Sequence, residues 1–364
     1  MQSKRYLCRN FRFNINMKKH TPLLILLLIA TLSSQSAIAQ FKFSNLFGSK
    51  EKPRKNRIFE PTSTVSLGFG TSSYYGDLSP YGRIIQSTFN GIRWNANFNF
   101  TRQISPSFGV RFGLTWARLS GDDSFMNGVS GYEANFMRNL HFRNDVKELS
   151  IVGQYDLVRT ERSYLRREQI IPYIFGGIAV FAHDPVARPD SSVYQSRDWV
   201  RLQPLNTEGQ GLPSYATPYS LISVSFPVGF GVRYKLNSSW DLGFEMGFRY
   251  TLTDYLDDAG GNYADPTELL GQSTLARDMG NRTLEKIAAN RGIDRTAGVS
   301  KYLESQGLYD PTSGLDPFTV VTSVQGFSDK TDQRGNPKFN DSYMLTTFKL
   351  IYHIPGKIRC PVTR

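Results

Sequence analysis

Few residues of this 364-residue chain have the types and spacing that chemistry needs. His141, His183 and His353 stand far apart, and none falls in the H-E-x-x-H spacing by which a helix brings two imidazoles and a base onto one zinc ion. His141 and Asp145 form the one nearby acid–base pair. Two readings stand for it: a strand-end histidine, or part of a rim site assembled from distant segments, as triads are. No nucleophile elbow is present, and Gly68-x-Gly70 lacks the third glycine and the following helix of a dinucleotide site. Asp254, Asp257, Asp258 and Asp265 surround Gly260-Gly261 with oxygen donors suited to Ca2+. Their spacing departs from an EF-hand loop, and the alternative is a turn in which the Asp side chains bond nearby backbone N–H groups. The inventory predicts a non-enzymatic protein with no cofactor.

What the remaining charges do depends on the elements that hold them. Trp240, Leu242, Phe244, Met246, Phe248, Tyr250 and Leu252 recur at every second position, opposite Asp241, Gly243, Glu245, Gly247, Arg249 and Thr251. That is a strand with one face for lipid and one that is not. The same split runs through Ile222 to Tyr234, Phe108 to Trp116 and Trp94 to Thr101. Weaker versions run through Val65 to Phe69, Glu148 to Leu157 and Met344 to Tyr352, and Ile170 to His183 is strand-like. Eight such segments, several long enough to cross the hydrocarbon layer when tilted, predict an all-β fold: an eight-stranded antiparallel transmembrane β-barrel. Closure follows because an open sheet edge in lipid leaves backbone groups unsatisfied. A soluble β-sandwich or lipocalin-like barrel would turn its large residues inward and carry Lys, Glu and Asp outside, whereas the second face here is rich in Gly, Ser and Asn.

Connection lengths alternate as such a barrel requires. Those near 75–90, 120–140, 184–218 and 254–340 are long and belong outside; those near 102–107, 159–168 and 237–239 are short and belong in the periplasm. An eight-stranded lumen is only wide enough for side chains, so inward Arg111, Glu148, Asp156, Arg233, Glu245 and Arg249 are expected to form an ion-pair plug, with a conducting path as the alternative. The inner turn carries Arg159, Arg162, Arg166 and Arg167 beside Tyr164, either a patch for an acidic periplasmic partner or a solvated turn near anionic head groups. Within the insertion 254–340, the stretch 266–306 has helix-compatible spacing and is expected to fold as a cap.

The leader fits this picture. Lys18-Lys19, the apolar run Leu23 to Leu32 and Ala37-Ile38-Ala39 read as a secretory signal peptide over 1–39, with 1–16 an over-extended start before Met17. A periplasmic segment over 40–61, a barrel over 62–354 and a tail over 355–364 follow. The leader holds six Lys and Arg and no acid, so its removal halves the formal charge from +12 to +6. No zinc-finger spacing or recognition helix accompanies the basicity, which excludes a nucleic-acid reading. Cys8 lies in the leader, leaving Cys360 as an expected free thiol without an intrachain disulfide.

Specific strings then carry a resemblance: Ser73-Tyr74-Tyr75-Gly76-Asp77-Leu78, Arg138-Asn139-Leu140-His141-Phe142-Arg143-Asn144 with Glu148-Leu149, Tyr173-Ile174-Phe175-Gly176-Gly177-Ile178, the run Leu202 to Leu212, and Thr253-Asp254-Tyr255-Leu256-Asp257-Asp258. Over roughly 60–260 and the final strand the chain resembles the PorG family. The resemblance implies an outer-membrane barrel component of the type IX secretion machinery, associated with a periplasmic ring of PorK and PorN and linked to gliding and protein export. It brings no catalytic motif. A free-standing structural or adhesive barrel acting through its outer loops is the alternative role.

Overall fold

The computed structural model describes residues 59–160, 164–321 and 330–355. The leader, most of the segment 40–61, Arg162 and both cysteines lie outside the described residues. Eight long strands form the frame: β1 (Ser63–Tyr75), β2 (Arg93–Gln103), β3 (Phe108–Asp122), β4 (His141–Asp156), β5 (Ile170–Ala182), β6 (Ile222–Lys235), β7 (Trp240–Thr251) and β8 (Ser342–Ile354). Each pairs antiparallel with its sequence neighbour, and β1 pairs with β8 from Ser63↔Ile354 to Tyr75↔Ser342, which closes the barrel. No strand edge is left in the ring, as a hydrocarbon surround demands. The β5–β6 ladder lapses at Gly177 and Ile178, opposite Pro227, whose ring nitrogen has no proton to donate.

The two faces divide as the alternation predicts. Leu67, Phe69, Leu114, Leu149, Val228 and Phe348 are all more than half exposed, an outward apolar belt that only lipid would favour. Aromatic residues ring it at two levels. Trp94 and Trp116 meet edge-on at 5.3 Å near the upper rim, and Trp240 and Tyr352 pack at 4.9 Å near the lower one, with Tyr155 and Tyr234 also exposed at lower strand ends. The eight residues of rise from Tyr155 to Lys147, which pairs with Trp116, correspond to roughly 20 Å of height at the usual strand tilt.

Several strands run further upward than the alternation reaches. β1 continues six residues beyond Phe69, β3 six beyond Trp116, and β4 starts seven before Glu148. These ends stand above the apolar belt, where nothing obliges the outward face to stay apolar. The outer connections cover them. They hold the helices α1 (Ile84–Asn90), α2 (Glu133–Arg138), α3 (Ser191–Tyr194), α4 (Pro266–Gln272), α5 (Thr274–Gly280), α6 (Thr296–Ser305) and α7 (Pro317–Val321). Met126, Phe136 and Met137 pack with Val299, Leu303, Phe318 and Val321 into a small apolar core that joins the 120–140 connection to the long insertion.

The helix-compatible stretch 266–306 is helical in three pieces. Asp265 and Ser273 cap α4 and α5 through Thr267 N–H and Ala276 N–H. Between α5 and α6 the chain forms instead a two-residue-a-side hairpin, Ile287–Ala288 against Ile293–Asp294, that turns through Gly292 at φ +70°.

Candidate functional site

The lumen is filled by paired charges. Glu245 accepts from Arg111 at 2.5 Å and from the Tyr173 hydroxyl at 3.0 Å, and Lys349 reaches it at 2.7 Å. Glu148 takes the Tyr343 hydroxyl at 2.5 Å and lies 3.6 Å from Arg249. Asp156 pairs with Arg233 and accepts from Gln103 at 3.1 Å and Gln154 at 2.9 Å. All six inward charges named from the alternation thus sit in three buried groups, each with one acid and one arginine. Lys349 joins them; the alternation of β8, with Phe348 and Leu350 outward, already turns it inward. Asn95, Asn97 and Asn99 line another sector and bond in sequence, Asn99 to Asn97 at 2.8 Å and Asn97 to Asn95 at 3.4 Å.

At the periplasmic end Arg167 is not on the surface. It donates to Asp241 at 2.5 Å, to the Asn237 carbonyl at 2.7 Å and to the Ser238 carbonyl at 2.9 Å, and Asp241 also meets His353 at 2.7 Å. Arg167 therefore knits the turn 157–169 to the turn 236–239 and is corrected from a partner contact to a structural residue. Arg159 and Arg166 remain exposed.

The upper mouth is closed by a polar joint. The Tyr74 hydroxyl lies 2.6 Å from Asp257 and 2.6 Å from Asp341, both fully buried. A phenol has one proton to give, so one carboxyl must donate in return and hence be protonated. Burial, then the negative charge of Asp77, lifts Asp257 well above the usual carboxylate range; burial, then the charge of Asp257, does the same to Asp341. Asp254 beside them has no hydrogen-bond partner, and burial with the charges of Asp257, Asp77 and Glu208 raises it to about 9. Gly76 is required here: a Cβ would stand 1.9 Å from the Asp341 carboxylate and 2.0 Å from the Tyr74 hydroxyl.

Two arginines bind the cap to this joint. Arg138 grips Asp123 with two bonds, 2.8 and 2.9 Å, and donates to the carbonyls of Asp77 at 3.0 Å and Arg334 at 2.6 Å. Arg334 donates to Glu208 at 3.1 Å, to Asp258 at 3.3 Å and to the Asp258 and Gly280 carbonyls. Burial still outweighs Arg334 and leaves Glu208 and Asp258 above their ordinary values. Arg295, equally buried, donates to the carbonyls of Phe136 at 3.0 Å and Met137 at 2.8 Å. Nothing local in the sequence marks these arginines, because their partners lie far along the chain.

The calcium reading of the acid cluster finds the oxygens of three of its four aspartates already committed, with Asp254 alone unpartnered. Asp257 serves Tyr74 and Ala259 N–H, Asp258 serves Thr207, Tyr219 and Arg334, and Asp265 caps α4. Among the described residues no group of three or more metal-ligating side chains has a metal-holding arrangement. His141 and Asp145 do not pair: His141 Nε2 accepts the Arg188 backbone N–H at 3.0 Å, and Asp145 takes two bonds from Arg118.

A pH dependence follows from the raised carboxyls. A carboxyl near 4 in the unfolded chain and near 9 in the cap, as for Asp254, stabilises the cap fully below about pH 4 and loses that contribution as pH rises through the folded value. The cap connections 183–221 and 252–341 are expected to exchange amide protons more slowly, after correction for intrinsic rates, at pH 5 than at pH 9. Asp254→Asn should flatten the difference. Greater protection at pH 9 would contradict the assignment.

The fold and its sealed mouth define a closed eight-stranded transmembrane barrel with a structured cap. Residues 58–198 match the family DUF6089, described as a domain of unknown function. No curated protein matches. Among solved structures the chain is similar to Ail, the attachment invasion locus protein of Yersinia pestis in complex with sucrose octasulfate, at 9% identity and TM-score 0.32, covering 81% of this chain and 100% of that one. It is similar to the outer membrane protein OprG of Pseudomonas aeruginosa at 9% identity and TM-score 0.29, covering 82% and 99%. Neisserial surface protein A aligns at 10% identity and TM-score 0.28, covering 52% and 82%. These values carry no argument of their own, and the fold stands on the strand pairing.

Proposed function

We propose that the chain is a non-conducting outer-membrane barrel that serves as an accessory component of the type IX secretion machinery and docks on its periplasmic ring. One observation carries the non-conducting part: the route through the barrel is blocked in succession by the lumen ion pairs, the Tyr74–Asp257–Asp341 joint and the arginine-bound cap. Such a chain offers surfaces and no path. The membrane placement is supported by the exposed apolar belt between two aromatic levels, and the outer-membrane choice by the closed barrel and the secretory leader.

The secretion role rests on the resemblance to the PorG family. The strings that carry it, including Tyr74, Asp77, Arg138, Glu208, Asp257 and Asp258, are largely the residues of the joint between barrel and cap. The periplasmic face available for docking is the exposed part of the basic turn, Arg159 and Arg166. Purification in mild detergent is expected to recover the ring proteins with the wild type and to lose them with Arg159→Ala/Arg166→Ala, a pair that leaves the buried Arg167 in place. Recovery of no partner by the wild type would sink the secretion reading.

The second reading, a free-standing barrel that binds through its outer loops, has an observation of its own. A cleft of about 350 Å³ opens in the cap, lined by Tyr215, Tyr255 and Tyr263 together with Glu208, Gln210 and Lys330. Aromatic side chains beside polar and charged ones suit a small polar surface ligand such as a sugar.

A further inference from the structure

The outward face of the barrel changes character abruptly above Trp116 on one side only. In the β3–β4 ladder Trp116 pairs with Lys147, Arg118 with Asp145 two residues higher, and Ser120 with Arg143 two higher again. The alternation that turns Phe112, Leu114 and Trp116 toward lipid turns these cations the same way. Arg188 joins them from the connection after β5, so that four cations face one carboxylate, Asp145. Nearby acids are engaged elsewhere: Asp122 with Arg291, Asp184 with Arg201, and Asp198 with Ser196. Among the described residues no carboxylate lies within 4 Å of the charged groups of Arg143, Lys147 or Arg188.

Two tryptophans set the three guanidinium groups. Arg118 lies 5.5 Å over Trp94, and Arg143 and Arg188 lie 4.3 and 4.6 Å from the centre of Trp199. Stacking fixes the plane of a guanidinium and leaves its N–H edge free to fork onto an oxyanion. Arg188 Nε is buried without a hydrogen-bond partner, and its Nη1 donates to the Asn290 carbonyl at 3.4 Å. By contrast, outward positions near the upper ends of the other strands, Thr71, Trp94, Ala182, Ile222, Leu252 and Met344, carry no charge. A uniform belt of snorkelling cations would ring the barrel; this one occupies a single sector. Its height is that of the head groups, a layer of about 5–7 Å on each side of the hydrocarbon, immediately above the upper aromatic level.

We infer that Arg118, Arg143, Lys147 and Arg188 form a seat for the phosphate groups of a phosphorylated glycolipid in the outer leaflet. The inference rests on the reading of the chain as an outer-membrane barrel with its long connections outside. The carboxylate of Asp145 holds Arg118 upright at 2.6 and 2.8 Å and leaves Arg143, Lys147 and Arg188 to meet the phosphate. Forked Arg–phosphate bonds give the seat preference for a phosphate monoester over a zwitterionic head group.

The test uses the full folded chain in zwitterionic nanodiscs, titrated with diphosphorylated lipid A, with lipid A stripped of its phosphates, and with inorganic phosphate alone. Wild type is expected to retain the diphosphorylated lipid about tenfold or more over the stripped form, the effect of one strong charge-assisted contact. Arg143→Gln/Lys147→Gln/Arg188→Gln should abolish that preference while keeping the heat-dependent gel mobility of a folded barrel. Equal retention by the variant, equal retention of the stripped lipid, or inorganic phosphate binding as strongly as the lipid would overturn the assignment. Failure of the wild type to enter bilayers at all, seen by flotation before any titration, would instead refute the barrel reading on which the inference stands.

Discussion

Glu245→Ala is expected to cost the barrel roughly 3–5 kcal/mol, the range for breaking a buried ion pair by removing one partner. Glu245 is shared by Arg111, Lys349 and the Tyr173 hydroxyl, so its loss leaves two cations inside the lumen with no acid in reach. The next acids, Glu148 and Asp156, are taken by Arg249, Tyr343 and Arg233. Urea titration of the barrel in liposomes, followed by tryptophan fluorescence, should show the midpoint fall, and the compact gel band of the folded form should weaken. Arg111→Met/Glu245→Leu/Lys349→Met should recover most of the loss, because apolar residues of similar volume replace a buried charge cluster at little cost. An unchanged midpoint for Glu245→Ala would mean that the lumen charges remain hydrated through a path the packing does not display.

The predictability of that plug, set against the invisibility of the contacts that hold the cap, shows where sequence speaks and where it does not. Lipid imposes its preference on every outward position of every strand, so the period of two is written into the chain wherever the barrel crosses hydrocarbon. Parity alone then turns Arg111, Glu148, Asp156, Arg233, Glu245 and Arg249 inward, and it does the same for Asp241 and Lys349. It gives no partner, which is why Arg167 looks like a free surface cation until Asp241, at the start of β7, is seen to hold it. Above the lipid the rule lapses. The upper halves of β3 and β4 carry Arg118, Arg143 and Asp145 outward, and no alternation marks them as strand.

The acid cluster illustrates the same limit. Four aspartates within twelve residues suggest local chemistry, either a cation or a capped turn. Asp265 does cap a helix. Asp257 and Asp258, however, are held by Tyr74, Thr207, Tyr219 and Arg334, at separations of 183, 51, 39 and 76 residues. A buried polar network of this kind is specified by geometry that only the closed barrel supplies, since β1 and β8 must meet before Tyr74 can reach Asp341.

Arg334→Met should separate the cap from the barrel. The substitution removes the shared partner of Glu208 and Asp258 and two further bonds to carbonyl groups, again a loss of roughly 3–5 kcal/mol, but one confined to the outer connections. Protease should then cut within 183–221 and 252–341 while the trimmed barrel keeps its folded gel mobility, because no lumen pair and no belt residue depends on Arg334. Simultaneous loss of both would show that the cap is needed for the strands to close. The lesion should also ease in acid. Glu208 and Asp258 already sit above their ordinary values with Arg334 present, and without its positive charge they rise further, so a modest fall in pH neutralises them and removes the unpaired charge. In the variant the protection of the cap at pH 5 should therefore approach that of the wild type, whereas at pH 8 it should not; a lesion equally deep at both values would place the role of Arg334 in its carbonyl bonds and not in its charge.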